Sequence, residues 1–247
     1  MATPLADRIR PQTIDEMVGQ EHLIGKNKPL RNIIESGTVP NMIFYGPSGT
    51  GKTTLARMIA KKTDRTLRKL NCTTAGTQDI RDIVDDLNAF TAPNGILLYL
   101  DEIQYFNKKQ QQILLSYIEN GDITLIASTT ENPYFYVYSA ILSRSTVFEF
   151  KTLSSDDIYE VIKRAIGKIT EEKDKSVEIS EASIKKMASA AAGDVRKALN
   201  TLELCVLTCE NDEKIEIGDE GVEEILASNA IRYDREGDQH YDIISAY

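Results

Sequence analysis

Eight consecutive residues hold the clearest chemistry in the chain: Gly46, Pro47, Ser48, Gly49, Thr50, Gly51, Lys52 and Thr53. Their spacing, G-x-x-x-x-G-K-T, is that of a phosphate-binding loop. Glycines let successive backbone N–H groups turn inward and approach phosphate oxygens closely. A lysine at this position can reach the β- and γ-phosphates of a nucleotide, and the threonine hydroxyl can join the shell of a Mg²⁺ ion. A glycine-rich turn can match such a pattern by chance, so its surroundings decide. Met42-Ile43-Phe44-Tyr45 before it reads as a short strand, and the run from Thr54 to Ala60 after it reads as a helix. Strand, glycine loop, helix is the context the motif requires. The helix, starting near Thr54, also points its positive end at the bound anion.

A second group lies downstream. Leu100-Asp101-Glu102 closes the apolar run Ile96–Leu100. Ligands of open α/β sheets sit at the carboxyl ends of strands, which puts both acids beside the phosphate loop. Asp101 is expected to hold Mg²⁺ through water, and Glu102 to polarise the water that attacks the γ-phosphate. Ser128-Thr129-Thr130 ends a further strand, where a hydroxyl can contact the γ-phosphate or that water. Asn71, at another strand end, is a candidate to hold Glu102 in an inactive pose. Arg144 and Arg196, in Ser143-Arg144 and Gly193-Asp194-Val195-Arg196, would by themselves be surface residues.

The elements that must position these groups follow from periodicity. Residues 1–28 are broken by Pro11 and Gly19 and predict an irregular segment with short helical turns. Pro29–Ser36 predicts a helix that Gly37 ends. Strands are expected at 66–71, 96–100, 124–127 and 147–150. Helical spacing joins Ile80, Ile83, Val84, Leu87 and Phe90, followed by a turn at Pro93-Asn94-Gly95. It also joins Ile113, Leu114, Tyr117 and Ile118. Alternating strands and helices predict an α/β fold with a five-stranded, mainly parallel sheet over residues 1–152. Beyond Lys151 the pattern is helical. Stripes run through Ile158–Ile169, Ile184–Ala191 and Val195–Cys209, with a charged loop over Thr170–Val177 and a short helix around Val222. This predicts a separate all-helical domain over 153–228. Residues 229–247 end in what reads as a helix cut partway, Tyr241–Tyr247, the start of a further domain in a longer chain.

Composition excludes several classes. Hydrophobic residues make up 41% of the 247 and charged ones 27%, enough for an ordinary globular core. There is no apolar stretch of membrane-spanning length and no signal sequence, so a cytoplasmic protein without membrane contact is expected. The cysteines Cys72, Cys205 and Cys209 lack zinc spacing and read as small buried hydrophobes. With His22 and His240 as the only histidines, a triad or multi-histidine metal site is improbable. The net charge of −9 does not advertise nucleic acid. A basic cluster, Arg57, Lys61, Lys62, Arg65, Arg68 and Lys69, follows the phosphate loop; most of it reads as a solvated face, part of it as serving that loop.

Several phrases together resemble the AAA+ ATPases of the clamp-loader branch, in particular the replication-associated recombination protein A (MgsA) family and its relative, the Werner-helicase-interacting ATPase. They are the run from Asp101 to Lys108, Thr129–Pro133, Ala140–Arg144, Gly193–Asn200, and Ile231–Asp234 with Gly237-Asp238. The resemblance covers about Arg10 to the last residue. It implies ATP and Mg²⁺ as cofactors, Thr130 as sensor 1, and Arg144 as a finger given to a neighbouring subunit. It implies Arg196 as the sensor 2 arginine of a helical lid, and Arg10, Pro11, Val18 and Gly19 as the frame of the adenine. It further implies a DNA-stimulated ATPase of bacterial cytoplasm and nucleoid, acting at stalled forks. Such a protein would form a homo-oligomeric ring, a tetramer, that meets single-stranded or forked DNA and single-strand-binding protein. A chain ending near residue 247 would by itself be monomeric. Two other readings remain open: a clamp-loader subunit or branch-migration motor on the same core, and a nucleotide-binding scaffold that does not hydrolyse ATP.

Overall fold

The computed structural model describes residues 3–63, 65–87, 95–209 and 214–229. Phe90, the turn at Pro93-Asn94, the Ile231–Asp234 phrase and the terminal helix expected at Tyr241–Tyr247 lie outside them. In chain order the elements are α1 (Leu5–Arg8), a 3-10 turn (Ile14–Glu16), α2 (Glu21–Ile24), α3 (Pro29–Ser36), β1 (Met42–Tyr45) and α4 (Lys52–Lys62). Next come β2 (Thr66–Asn71), α5 (Thr77–Leu87), β3 (Ile96–Asp101), a second 3-10 turn (Ile103–Tyr105), α6 (Lys108–Glu119) and β4 (Ile123–Thr129). Then follow α7 (Pro133–Tyr136), α8 (Ser139–Leu142), β5 (Thr146–Glu149), α9 (Ser155–Lys173), β6 (Ser176–Ile179), α10 (Glu181–Ala190), α11 (Val195–Cys209) and β7 (Lys214–Ile217). A last helix, α12, covers 219–229. No described helix is long and apolar enough to cross a membrane.

Two compact units divide the chain. Pro11–Thr152 forms one, and Leu153 onward together with residues up to Arg10 forms the other. In the first, five parallel strands run in the order β2-β3-β4-β1-β5. β3 is buried on both faces, which is why it reads as an unbroken apolar run. Its alternation is nonetheless strict. Leu97 and Tyr99 join the core with Phe44, Leu55 and Ile59, while Ile96, Leu98 and Leu100 join the opposite core with Ile80, Leu114 and Leu125. All strands being parallel, the loop after β1 and the carboxyl ends of β3 and β4 share one edge of the sheet. The topological switch point lies between the adjacent strands β4 and β1, because the chain leaves β1 for β2 on one side and leaves β4 for β5 on the other.

The second unit differs from the sequence expectation in two ways. It is not helix throughout: β6 and β7 pair in parallel, from Ser176 opposite Lys214 to Ile179 opposite Ile217. The expected loop over Thr170–Val177 is instead the last turn of α9 and the start of β6. Each strand is four residues long and its partner lies more than thirty residues away, so no local periodicity betrays the pair. Helix α1, read in the sequence as part of the α/β domain, packs on α11. The Leu5 N–H donates to Glu203 Oε1 at 3.0 Å, and Arg8 pairs with Glu172 and Glu203. The three helical stripes are buried as their spacing requires, through Ile158, Ile162, Ile184, Met187, Leu199 and Leu202 among others.

Candidate nucleotide site

The phosphate loop takes its shape from glycine. Gly46, Gly49 and Gly51 have φ of 138°, 68° and 100°, values that residues with a Cβ rarely adopt. At Gly46 there is also no room, because a Cβ would lie 2.0 Å from the Phe150 carbonyl oxygen. The Gly46 N–H donates to the Thr129 carbonyl at 3.1 Å, which ties the loop to the end of β4. Lys52 Nζ turns back over the loop and donates to the carbonyls of Gly46 (2.6 Å) and Pro47 (2.7 Å). Thr50 Oγ1 donates to the Pro47 carbonyl at 2.8 Å. Ser48 and Gly49 form the tip, and Lys52, Thr53 and Thr54 open α4.

Beneath the loop lies a network of hydroxyls around one carboxylate. The hydroxyl of Tyr99, only 1% exposed, lies 3.0 Å from Thr53 Oγ1, 2.8 Å from Ser128 Oγ and 3.3 Å from Asp101 Oδ1. Ser128 donates to Asp101 Oδ1 at 2.8 Å, and Lys69 Nζ approaches Asp101 Oδ2 at 3.2 Å. Burial pushes the Asp101 carboxyl toward its neutral form. The Ser128 bond and the Lys69 charge outweigh that and hold it below the usual carboxylate range. The thiol of Cys72, next to this carboxylate, is pushed well up by burial and by the charges of Asp101 and Glu102. Burial likewise raises Cys205 to about 11. Both are packing residues, as the sequence suggests.

Glu102 occupies a left-handed backbone position (φ 58°) at the head of the second 3-10 turn. Its Oε2 accepts from Gln104 Nε2 at 2.7 Å and from Thr130 Oγ1 at 3.4 Å. The structure thus brings Lys52, Thr53, Asp101, Glu102 and Thr130 to one sheet edge. Asn71 does not hold Glu102. Its Oδ1 is used locally, accepting from the N–H (3.0 Å) and hydroxyl (2.8 Å) of Thr73. Thr129 is also turned away, bonded within its own turn to Glu131. Val18 and Gly19 follow Met17, whose methyl lies 2.9 Å from where a Gly51 Cβ would sit. Gln20, next in line, exchanges two bonds with the Lys151 backbone. Pro11 opens this unit, whereas Arg10 belongs to the other and pairs there with Asp7. Arg144 lies between α8 and the edge strand β5 and pairs with Glu119 at 2.6 Å. Arg196 stands at the start of α11, its N–H held by Asp194 Oδ1 at 2.9 Å.

Three members of the site went unassigned in the sequence. Tyr99 left a trace, as the one hydroxyl-bearing side chain in an aliphatic strand. Lys69 faces Tyr99 across the β2–β3 register, which no local pattern reveals; it is the part of the basic cluster that reaches the site. Gln104 carries no signal beyond its place two residues after Glu102.

The donor set suits a hard cation with a nucleotide. Hydroxyl and carboxylate oxygens are what Mg²⁺ takes, usually from one or two protein groups with the phosphates supplying more. Among the described residues there is no cluster of three or more His, Cys, Asp or Glu that would hold a metal without such help.

Comparison with known proteins agrees with this geometry. The family described as "ATPase family associated with various cellular activities (AAA)" matches residues 42–153, and "AAA C-terminal domain" matches 172–247. Replication-associated recombination protein A of Coxiella burnetii is 39% identical over 98% of this chain and 56% of its own length. The protein of that name in Escherichia coli K12 is 38% identical over 98% and 55%. ATPase WRNIP1 of Dictyostelium discoideum is 32% identical over 98% of this chain and 30% of its own. The chain therefore spans about half the length of the bacterial relatives it matches. In fold it is similar to the Thermotoga maritima RuvB Holliday junction branch migration motor, with a TM-score of 0.71 at 24% identity, covering 89% of this chain and 72% of that one.

Proposed function

The chain belongs to the AAA ATPases, in the family of replication-associated recombination protein A, and on that premise we propose that it binds Mg²⁺–ATP at the edge of its five-stranded sheet and hydrolyses it. The observation that carries this reading is that Asp101, Glu102 and Thr130 lie at the same sheet edge as the loop Gly46–Thr53 with its Lys52 and Thr53. Backbone N–H groups of the loop and Lys52 bind the phosphates, Lys52 exchanging its carbonyl partners for phosphate oxygens. Thr53 and Asp101 would hold the ion, which supplies charge neutralisation at the phosphates. Asp101, kept ionised by Ser128 and Lys69, suits that role. Glu102 orients the attacking water and takes its proton, and Thr130 stands beside it as sensor 1. Val18, Gly19, Pro11 and Arg10 frame the adenine.

Beyond the site, the names of the relatives support work in DNA replication and recombination. In this reading hydrolysis is coupled to remodelling DNA or replication proteins, and DNA, single-stranded or forked, is the partner. Single-strand-binding protein is a second partner. In the full-length protein the assembly is a homo-oligomeric ring, a tetramer, in the bacterial cytoplasm and nucleoid, and the 247-residue chain by itself is monomeric. Arg144 reaches a neighbouring subunit's nucleotide after releasing Glu119, and Arg196 reports nucleotide to the helical unit. The 153–228 region acts as the lid, and residues 229–247 begin an oligomerisation domain.

The test is ATP turnover by the 247-residue chain, alone and with single-stranded and forked DNA, beside Glu102→Gln. We expect turnover in the parent. In Glu102→Gln we expect unchanged ATP affinity and a kcat lower by about 10²–10⁴-fold, the usual worth of a general base. Parent-level hydrolysis by Glu102→Gln would remove Glu102 as the base. ATP binding without hydrolysis by the parent would favour the scaffold reading.

A further inference from the structure

We propose that Gln104 is a positioning residue for hydrolysis, holding the Glu102 carboxylate by one oxygen so that the other is presented to water. This rests on the assignment of Glu102 as the base. The head of the second 3-10 turn is left-handed at Glu102, so the chain doubles back and Gln104 comes alongside the carboxylate. Gln104 Nε2 donates to Glu102 Oε2 at 2.7 Å, the shortest bond either side chain makes among the described residues. The same nitrogen lies 3.5 Å from Thr130 Oγ1, which in turn donates to that Oε2 at 3.4 Å. Glutamine, carboxylate and threonine thus close a triangle on one oxygen of the base, while Glu102 Oε1 accepts no bond within the described protein.

Two features set Gln104 apart from a surface side chain with a convenient neighbour. Its Oε1 is buried and accepts no hydrogen bond. An orphaned buried acceptor costs about 1–3 kcal/mol, so the amide is placed for its donor end. The residue is also framed by buried apolar neighbours, Ile103 at 0% and Phe106 at 3% exposure, which fix the short turn under it. A carboxylate on three rotatable bonds beyond a left-handed backbone position would otherwise sample many poses. Misplacing a reacting group by 1 Å can cost about 100-fold in rate, and preventing that is the work assigned to Gln104.

The experiment compares Gln104→Met, Gln104→Ala and Gln104→His in the 247-residue chain, by single-turnover hydrolysis and by titration with a fluorescent ATP analogue. Methionine keeps the length and loses the donor; histidine keeps a ring N–H that can donate. We expect Gln104→Met and Gln104→Ala to lower the hydrolysis rate by about 10- to 100-fold with nucleotide Kd within twofold of the parent. Gln104→His should recover a large part of that loss. In a Glu102→Gln background, Gln104→Met should cost nothing more, since the group it positions is gone. Gln104→Met at the parent rate, or a further loss in the Glu102→Gln background, would overturn the proposal. Parent-rate hydrolysis by Glu102→Gln alone is a separate result that refutes the base assignment itself. The side-chain amide proton signals of Gln104, identified by their loss in Gln104→Met, should move when Glu102 is replaced by alanine. Signals that stay in place would refute the hydrogen bond whatever the turnover.

Discussion

The two units bury polar side chains to very different extents. Among the described residues, Gln20, Thr50, Lys52, Thr53, Gln111, Thr124, Ser128 and Thr129 are buried in the α/β unit, against Ser183 and Thr201 in the helical one. The helical pair serve structure: Ser183 bonds Asp219, which also receives Ser180 at the start of α10, and Thr201 bonds back to the Lys197 carbonyl in its own helix. In the α/β unit, half of the eight lie in the phosphate loop, at the head of α4 or in the network beneath: Thr50, Lys52, Thr53 and Ser128. Burying a polar group costs free energy unless every bond is made, so a fold concentrates such groups where binding or chemistry requires them. The helical unit follows apolar periodicity almost without exception, and half of the α/β unit's departures from that rule gather at one edge of one sheet.

The contrast breaks if the buried polar groups of the α/β unit prove merely structural. The largest effect expected in a test of this is on Lys52→Ala. Lys52 is 8% exposed and its ammonium is occupied by two carbonyls of the loop. A charge-assisted bond to phosphate contributes about 1.5–3 kcal/mol, so ATP affinity should fall roughly 10- to 100-fold. Calorimetric titration of parent and variant with ATP measures it. Equal affinities, with both proteins folded, would make Lys52 a loop fastener only.

A smaller effect is expected at Tyr99, where site and core meet. Burial, the Asp101 charge and the hydrogen bond to Asp101 push its hydroxyl well above the ordinary 10.0, although Ser128 and Thr53 pull the other way. The folded state therefore favours the neutral phenol. That contribution is complete below about pH 10 and is lost as pH rises through the higher folded value, because the unfolded chain ionises first. Tyr99→Phe removes the hub shared by Thr53, Ser128 and Asp101 and should cost about 1–3 kcal/mol at neutral pH. It should also flatten the fall in stability above pH 10. Urea unfolding at pH 7 and across the alkaline range reads both. A parallel alkaline decline in the two proteins would place that titration elsewhere.

How much of this was readable in the chain divides along the same line. The loop is one contiguous run and the acids Asp101 and Glu102 another, and the chemistry of each depends on local spacing, so both were legible. Strands β1 to β5 were legible because apolar runs and turns mark them. Lys69, Tyr99 and Ser128 come together only through strand order β2-β3-β4 and its register, which local pattern does not contain. Asn71 was plausible as a restraint on Glu102 because both end neighbouring strands. The Asx turn with Thr73 takes its amide oxygen, and the amide that meets the Glu102 carboxylate is that of Gln104, two residues on. β6 and β7 were missed for the same reason as Lys69: four-residue alternations mean nothing until they find each other.

The finest test uses a device present in both units. Each has a helix opened by a capping box. At α6, Gln110 N–H donates to Asn107 Oδ1 (3.0 Å) and Asn107 N–H to Gln110 Oε1 (2.9 Å). At α9, Asp157 N–H donates to Ser154 Oγ (3.1 Å) and Ser154 N–H to Asp157 Oδ2 (3.0 Å). Loss of such a cap costs about 1 kcal/mol, so Asn107→Ala and Ser154→Ala should lower unfolding stability by similar amounts. Their functional consequences should differ. Asn107 fixes the helix that begins directly after the turn bearing Gln104, with only Phe106 between turn and cap. Slack at that cap passes to the turn and to the carboxylate it positions, so Asn107→Ala should slow ATP hydrolysis severalfold. Ser154 opens a helix of the other unit that carries none of Lys52, Thr53, Asp101, Glu102 or Thr130, so Ser154→Ala should leave turnover unchanged. Matched denaturation midpoints beside single-turnover rates decide it. Equal rates in the two variants would mean the 3-10 turn is held rigid without its cap, and the distinction between the units would then end at Gln104.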